Sequence, residues 1–146
     1  HHLSFTWEDR LFVGEAGGNF MALDGGTYLR PATPPRFFME AFLSSIDRLL
    51  ALENRILCYG HFGQVENSTE MLERFRAQLL RWKNIIRSEI LKGEDDLVPR
   101  CMATLLEEDP ELSRFADMAP EFQDRERFFL TNSIKGFIGY LKDSDQ

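Results

Sequence analysis

The stretch RILCYGHFGQ, residues 55–64, contains the pattern that decides the fold. Residues 56–59 form a continuous apolar run, which is typical of a short strand buried inside a layered structure. Gly60 ends the run and His61 follows it directly. The stretch therefore predicts a strand that either delivers His61 to a functional site or holds its ring in a hydrogen-bonded structural position.

A helix is predicted immediately before this strand. Thr33 and Pro34 are typical of a helix N-cap and first turn, and Asn54 suits a left-handed stop after a helix that extends to about Leu52. Between them, one apolar stripe recurs at helical spacing and consists of Phe38, Phe42, Leu43, Ile46, Leu49 and Leu50. A helix followed by a short apolar strand indicates an α/β layer rather than a helical bundle.

Upstream, residues 2–13 predict a β-hairpin. Leu3, Phe5 and Trp7 alternate with polar residues in the period of a half-buried strand, and residues 11–13 begin the return strand. The following segment, 14–35, contains two Gly-Gly pairs and several prolines. We expect this segment to be a long loop, and a loop of that length in a compact domain is often functional.

Downstream, the chain is predicted to be helical. Asn67 and Glu70 resemble a capping box at the start of a helix that would end before Gly93. Further helices are predicted over 96–108, from Asp109-Pro110, and over 120–141, where Gly136 and Gly139 indicate the close approach of another backbone. We therefore interpret residues 1–66 as an α/β unit and residues 67–146 as a helical extension.

Composition excludes several classes of function. The chain of 146 residues has a net charge of −7 and a pI near 5.0. This charge argues against a nucleic-acid binder, which normally presents a basic face to phosphate, and against adhesion to anionic membranes. The longest apolar runs are far shorter than the roughly 18 residues of a membrane span. Cys58 and Cys101 lie inside predicted elements, so we expect a reduced, cytoplasmic protein without a disulfide framework.

Two potential metal ligands follow predicted strands. Glu15 comes after LFVG and His61 after ILCYG, and the carboxyl ends of neighbouring strands meet at one edge of an α/β sheet. A carboxylate and an imidazole suit zinc, iron or manganese. Two ligands are fewer than the roughly three that a catalytic zinc takes from protein, so spacing alone predicts half of a metal site. The alternatives are that Glu15 faces solvent and that His61 is structural.

Several stretches, in order, resemble the C-terminal half of metallo-β-lactamase-fold hydrolases. They are HHLSF, EDRLFVGEAGG, LRPATPPRFFMEAFLSSIDRLLAL and RILCYGHFG, and together they cover residues 1–66. The corresponding family features are a G-H-x-P-x-H segment, a hairpin, an LFxGDA motif whose Asp bridges two metals, and a final His after a later strand. The resemblance implies half of an αββα sandwich followed by a C-terminal helical extension.

The resemblance also implies roles for individual residues. His2 matches the last His of G-H-x-P-x-H, a residue that supports the ligands, and this match favours native histidines at positions 1 and 2 over a tag remnant. Glu15 matches the bridging Asp, with one methylene more, and His61 matches the terminal ligand. The H-x-H-x-D-H motif of the family does not occur in the chain, so the resemblance implies that it belongs to a missing N-terminal half.

A metal-dependent hydrolase is therefore the expected function of the longer protein, with this chain alone inactive. The resemblance implies two divalent metal ions, with zinc expected and iron or manganese as alternatives, and a small-molecule ester, thioester, lactone or related substrate. Phe20, Tyr28 and Arg36 are candidate substrate contacts, with packing as the alternative for the two aromatic residues. A di-iron redox protein of the same fold is another alternative.

The rival class is a helical interaction or homodimerisation module over residues 67–141. It is suggested by the aromatic residues of the predicted helices, which are Phe75, Trp82, Phe115, Phe122, Phe128, Phe129, Phe137 and Tyr140. The simpler interpretation is that these residues pack on one another and on the α/β layer.

Overall fold

The computed structural model describes residues 3–34, 37–61 and 63–144, and the chain has a mixed α/β structure. The elements, in chain order, are β1 (Phe5–Trp7), β2 (Arg10–Gly14), β3 (Asn19–Leu23), β4 (Gly26–Arg30), α1 (Met39–Leu50), β5 (Ile56–Tyr59), β6 (Gln64–Val65), α2 (Ser68–Leu91), α3 (Leu97–Glu108) and α4 (Pro120–Ser144). Two short 3-10 helices, Pro110–Leu112 and Phe115–Asp117, connect α3 to α4.

A four-stranded sheet has the order β1-β2-β5-β6. The predicted hairpin of β1 and β2 is confirmed, and β2 pairs in parallel with the predicted strand β5, with Leu11 opposite Leu57. Because side chains alternate along a strand, Leu11 and Leu57 share one face of the sheet, where both are buried. The opposite face is mainly apolar and partly open: Phe5 stacks on Phe12 with ring centroids 4.7 Å apart, and Arg10 donates a hydrogen bond to Gln64 Oε1 at 2.9 Å on the same face.

The expectation of a long loop over residues 14–35 is wrong. The segment contains β3 and β4, which form a separate two-stranded antiparallel sheet. Leu23 pairs with Gly26, so Asp24 and Gly25 alone make the turn, and Gly25 has a φ of +79°. An Asp-Gly pair between strands is a strong hairpin signal because glycine adopts positive φ without steric cost. The glycines here permit a regular element instead of preventing one.

The start predicted for α1 is also wrong, whereas its end lies within two residues of the predicted one. The helix begins at Met39 without a side-chain cap and ends at Leu50. Thr33 lies upstream of it, where its Oγ1 donates a hydrogen bond to the carbonyl oxygen of Ser133 at 3.2 Å. Asn54 does not stop α1; its side-chain oxygen accepts a hydrogen bond from the backbone N–H of Thr69 at 3.1 Å, in the first turn of α2. Thr33 and Asn54, which the sequence predicted as the caps of α1, therefore form hydrogen bonds with other helices instead.

The helices after residue 66 agree with the prediction. The Asn67 side chain accepts a hydrogen bond from the Glu70 N–H at 3.1 Å, and Gly93 follows α2 with a φ of +111°. The Asp109 side chain likewise accepts from the Glu111 N–H at 3.2 Å at the start of the first 3-10 helix. These side chains satisfy backbone donors that a helix start leaves without partners.

One continuous apolar core joins the sheets and the helices. Phe75, Trp82 and Phe137 are fully buried in it, so the packing interpretation of these aromatic residues is confirmed. Phe122 and Phe128 of α4 are instead 43% and 63% exposed. No helix within the described ranges combines the length and apolar character needed to cross a membrane.

Gly136 provides a test of how α4 packs. A Cβ atom at this position would lie 2.8 Å from both the Pro34 carbonyl oxygen and Thr33 Oγ1, so the predicted close approach of another backbone is confirmed. An exposed Gly→Ala change inside a helix stabilises by up to about 1 kcal/mol. Gly136→Ala should instead lower the free energy of unfolding by about 1–3 kcal/mol because the Cβ overpacks this contact.

Urea denaturation measures this change. Lys135→Ala, at the adjacent exposed position of the same helix, is the control and should shift the free energy of unfolding by less than about 0.5 kcal/mol. A Gly136→Ala variant as stable as the wild type would contradict the packing of residues 33–34 against α4.

Candidate functional site

Two glycines bring the ends of β2 and β5 together. The Gly60 N–H donates a hydrogen bond to the Gly14 carbonyl oxygen at 3.0 Å. A Cβ atom at Gly60 would lie 3.2 Å from the backbone carbon atoms of Gly14, which is closer than most side chains allow. The residues that follow these glycines, Glu15 and His61, therefore leave neighbouring parallel strands at one edge of the sheet.

The side chains of Glu15 and His61 face each other at this edge. His61 Nε2 lies 3.5 Å from Glu15 Oε1, and the side chains are 55% and 32% exposed for His61 and Glu15, respectively. The expected convergence of these two residues is thus observed. Their role as metal ligands stays a prediction, since proximity is also compatible with an ion pair between a carboxylate and a protonated imidazole.

The described residues do not supply the rest of a metal site. No group of at least three His, Cys, Asp or Glu side chains is placed to hold a metal ion within residues 3–34, 37–61 and 63–144. Two further predictions concern residues outside the described ranges. They are the supporting role of His2 and the substrate contact of Arg36.

Glu15 and His61 open onto a cleft with a volume of about 1450 Å³. One wall is a face of α1, and another is a face of α4; residues 32–34, 37 and 38 also line the cleft. The apolar lining residues include Phe37, Phe38, Phe42, Leu49, Leu52 and Phe129. A large apolar cleft with a few polar groups is the usual form of a small-molecule site.

A buried ion pair is among the polar groups that line this cleft. Arg30, at the end of β4, and Glu126 of α4 are 5% and 1% exposed, and Arg30 Nε donates a hydrogen bond to Glu126 Oε2. The Arg30 guanidinium also lies over the Phe129 ring, 4.7 Å from its centroid. Asn19, oriented with its amide oxygen toward Arg30, accepts from both terminal guanidinium nitrogens at 3.1 Å. The pair ties the β3–β4 hairpin to α4, which is one wall of the cleft.

Sequence analysis did not predict this ion pair. Arg30 and Glu126 are separated by 96 residues, and neither belongs to a local motif. A buried charge requires a partner of opposite sign, but a single sequence does not show which of the many acidic residues lies close to Arg30. Only the packing of α4 against β4 reveals it.

The two aromatic residues predicted as substrate contacts are buried. Tyr28 is fully buried and donates a hydrogen bond from its hydroxyl group to Glu126 Oε2 at 3.2 Å. Burial, together with the Glu126 carboxylate, raises the pKa of Tyr28 well above its usual range, so the phenol stays protonated. Phe20 is 3% exposed and stacks on Tyr59. Neither ring is among the residues that line the cleft. Both rings pack inside the structure, which is the alternative given above for these two residues.

Comparison with known proteins gives one informative similarity. The Metallo-beta-lactamase fold-containing protein ST1585 of Sulfurisphaera tokodaii is 28% identical to the chain over 85 residues. The match covers 58% of this chain and 30% of that protein, so the chain spans less than a third of the length of this curated relative. This distant and partial similarity supports the metallo-β-lactamase superfamily and nothing finer. No protein-family model matches the chain, and no solved structure matches it at a significant level.

The Arg30–Glu126 pair predicts a large stability effect. Glu126→Ala should lower the free energy of unfolding by about 3–5 kcal/mol because it leaves the Arg30 charge buried without a partner. The double variant Arg30→Met/Glu126→Leu should lose much less, since it removes both charges together. Urea denaturation measures both, and Asp124→Ala, an exposed acidic position of the same helix, is the control. Equal losses in Glu126→Ala and in the control would show that the pair is not buried.

Proposed function

We propose that this chain is part of a metal-dependent hydrolase of the metallo-β-lactamase superfamily, and that Glu15 and His61 are two of its metal ligands. The observation that carries the proposal is the placement of these two side chains, 3.5 Å apart, in the lining of a large cleft. The similarity to a protein with a metallo-β-lactamase fold name and the ordered motifs of residues 1–66 support the same assignment.

The chemistry of the two side chains fits one metal ion. A carboxylate oxygen and an imidazole nitrogen are ligands of zinc, iron and manganese. Two ligands that each lie about 2.0–2.2 Å from one tetrahedral zinc are roughly 3.4 Å apart, which is close to the observed Nε2–Oε1 separation. We propose zinc as the metal, with a pair of ions as in the family. The family's Asp bridges two ions, and the Glu15 side chain is one methylene longer than that Asp. The binding of two ions is therefore itself a proposal.

The remaining ligands are proposed to come from an N-terminal half that contains the H-x-H-x-D-H motif. The open face of the four-stranded sheet supports this part of the proposal. Phe5 and Trp7 on this face are 58% and 62% exposed, whereas the opposite face is buried. In an αββα sandwich the second sheet covers such an apolar face. A longer protein would therefore both complete the metal site and bury this aromatic surface.

Bound metal would supply hydroxide near neutral pH and would polarise the scissile bond of the substrate. The residues of this chain would contribute binding and positioning. Glu15 and His61 would hold the metal in the cleft, and the apolar walls would exclude water from the substrate. The Arg30–Glu126 pair would hold α4 against the β3–β4 hairpin without contributing net charge.

The compartment and partners are part of the same proposal. Cys58 and Cys101 are both buried and free, and burial raises the pKa of the Cys101 thiol to about 11. Two buried cysteines that form no disulfide support a reduced, cytoplasmic protein. A homodimer is the second candidate role of the helical extension, and it is favoured by the exposed rings of Phe122, Phe128 and Phe129 on α4.

Metal analysis of the full-length protein tests the ligands. His61→Ala and Glu15→Gln should each lower the metal bound per chain, because each removes one ligand, whereas Glu66→Gln, at an exposed position, should not. Elemental analysis after dialysis measures the metal, and circular dichroism confirms the fold of each variant. Metal content unchanged in both variants would refute the ligand assignment.

The close contact of Gly14 and Gly60 gives an independent test. Gly60→Ala should force the strand ends apart and move His61 away from Glu15, which should weaken metal binding by about 10–100-fold, the range seen when residues that support ligands are changed. Gly26→Ala is the matched control, because its Cβ atom would meet only the flexible side chain of Arg114. Metal titration of the full-length protein measures both. Equal affinity in the two variants would mean that the glycine contact does not position the site.

A further inference from the structure

The cleft has two chemically different ends. Residues Phe38, Ala41, Ser45, Arg48 and Leu52 all line it, and their spacing of three or four residues places them on one face of α1 and its ends. Phe38 and Arg48 are ten positions apart, which corresponds to about 15 Å along a helix. The cleft therefore follows the length of α1.

The connection between α1 and β5 shows which residues lie at each end of the cleft. The segment 51–55 leads from the end of α1 into the amino end of β5, whereas His61 follows the carboxyl end of the same strand. Arg48 and Leu52 thus lie toward the amino end of β5, away from the Glu15–His61 pair. One end of the cleft holds the potential metal ligands, and the other holds a cation beside apolar side chains.

Arg48 has no acidic partner in the described ranges. Its Nε donates to the Ser44 carbonyl oxygen at 3.3 Å, and no carboxylate of residues 3–34, 37–61 or 63–144 forms an ion pair with it. The neighbouring Asp47 pairs instead with Arg76 at 2.8 Å. In a chain of net charge −7, a cation without an acidic partner at the end of an apolar cleft is complementary to an anionic group of a ligand.

We infer that the substrate of this cleft is an acyl ester or thioester whose apolar chain ends in a negatively charged group. The reactive carbonyl lies at Glu15 and His61, the chain lies against Phe38, Phe42 and Leu49, and the distal anion pairs with Arg48. Water adds across the acyl C–O or C–S bond, and the products are a carboxylic acid and an alcohol or thiol. The inference rests on the proposed hydrolase function and adds the class of substrate.

Two matched esters test the inference in the metal-loaded full-length protein. Mono(para-nitrophenyl) decanedioate carries a distal carboxylate, and para-nitrophenyl decanoate lacks it. We expect kcat/KM to be higher for the dicarboxylic monoester, and Arg48→Gln to reduce that value by about fivefold, the effect of one solvent-accessible ion pair. The value for the neutral ester should not change. Arg127→Gln is the matched control, because Arg127 packs over Phe115 and does not line the cleft.

A binding measurement separates this inference from the hydrolase proposal. Calorimetry with decanoate on the metal-free full-length protein should show binding that weakens about fivefold in Arg48→Gln and is unchanged in His61→Ala. If decanoate binding depends on Arg48 but neither ester is hydrolysed, the hydrolase proposal is refuted. The inference that the ligand is apolar and carries an anionic group would then be retained. Turnover without a preference between the esters, or with a preference that Arg48→Gln leaves unchanged, would overturn the inference and retain the hydrolase.

Discussion

The parallel pairing of β2 with β5 is the constraint on which the rest of the structure depends. Parallel strands need a crossover connection, and this crossover contains the β3–β4 hairpin, the segment before α1, and α1 itself. The pairing continues to the strand ends, where Gly60 donates to Gly14 at 3.0 Å. Because neither glycine has a Cβ atom, the backbones can approach closely enough to place Glu15 beside His61.

A second constraint operates at the other side of the cleft. The buried pair of Arg30 and Glu126 joins the end of β4 to α4, and Tyr28 donates a second hydrogen bond to the same carboxylate. A buried ion pair adds little net stability relative to apolar packing, but the loss of one partner is costly. Its effect is therefore geometric: it holds α4, one wall of the cleft, against the end of β4.

These two constraints determine where the charged and the apolar side chains lie in the cleft. The sheet edge contributes a carboxylate and an imidazole that are accessible to solvent, whereas α1 and α4 contribute mainly apolar walls. The charges of Arg30 and Glu126 compensate each other inside the structure, and Arg125 lies 3.9 Å from the same Glu126. Arg48 is a lining cation that no carboxylate of the described residues pairs with. A protein that is acidic overall therefore has a cleft with a cationic end.

Local sequence determined the helices after residue 66, the β1–β2 hairpin and the strand before His61, because capping side chains, periodicity and short apolar runs act within a few residues. It also indicated that Glu15 and His61 would meet, since both follow strands. It misassigned residues 14–35 because glycine content was given more weight than the Asp24-Gly25 turn, and it misassigned Thr33 because a distant helix supplies its partner. Tertiary structure alone decided the Arg30–Glu126 pair, the burial of Phe20 and Tyr28, and the position of Arg48 in the cleft. Each of these depends on contacts between segments far apart in the chain, for which no local pattern exists.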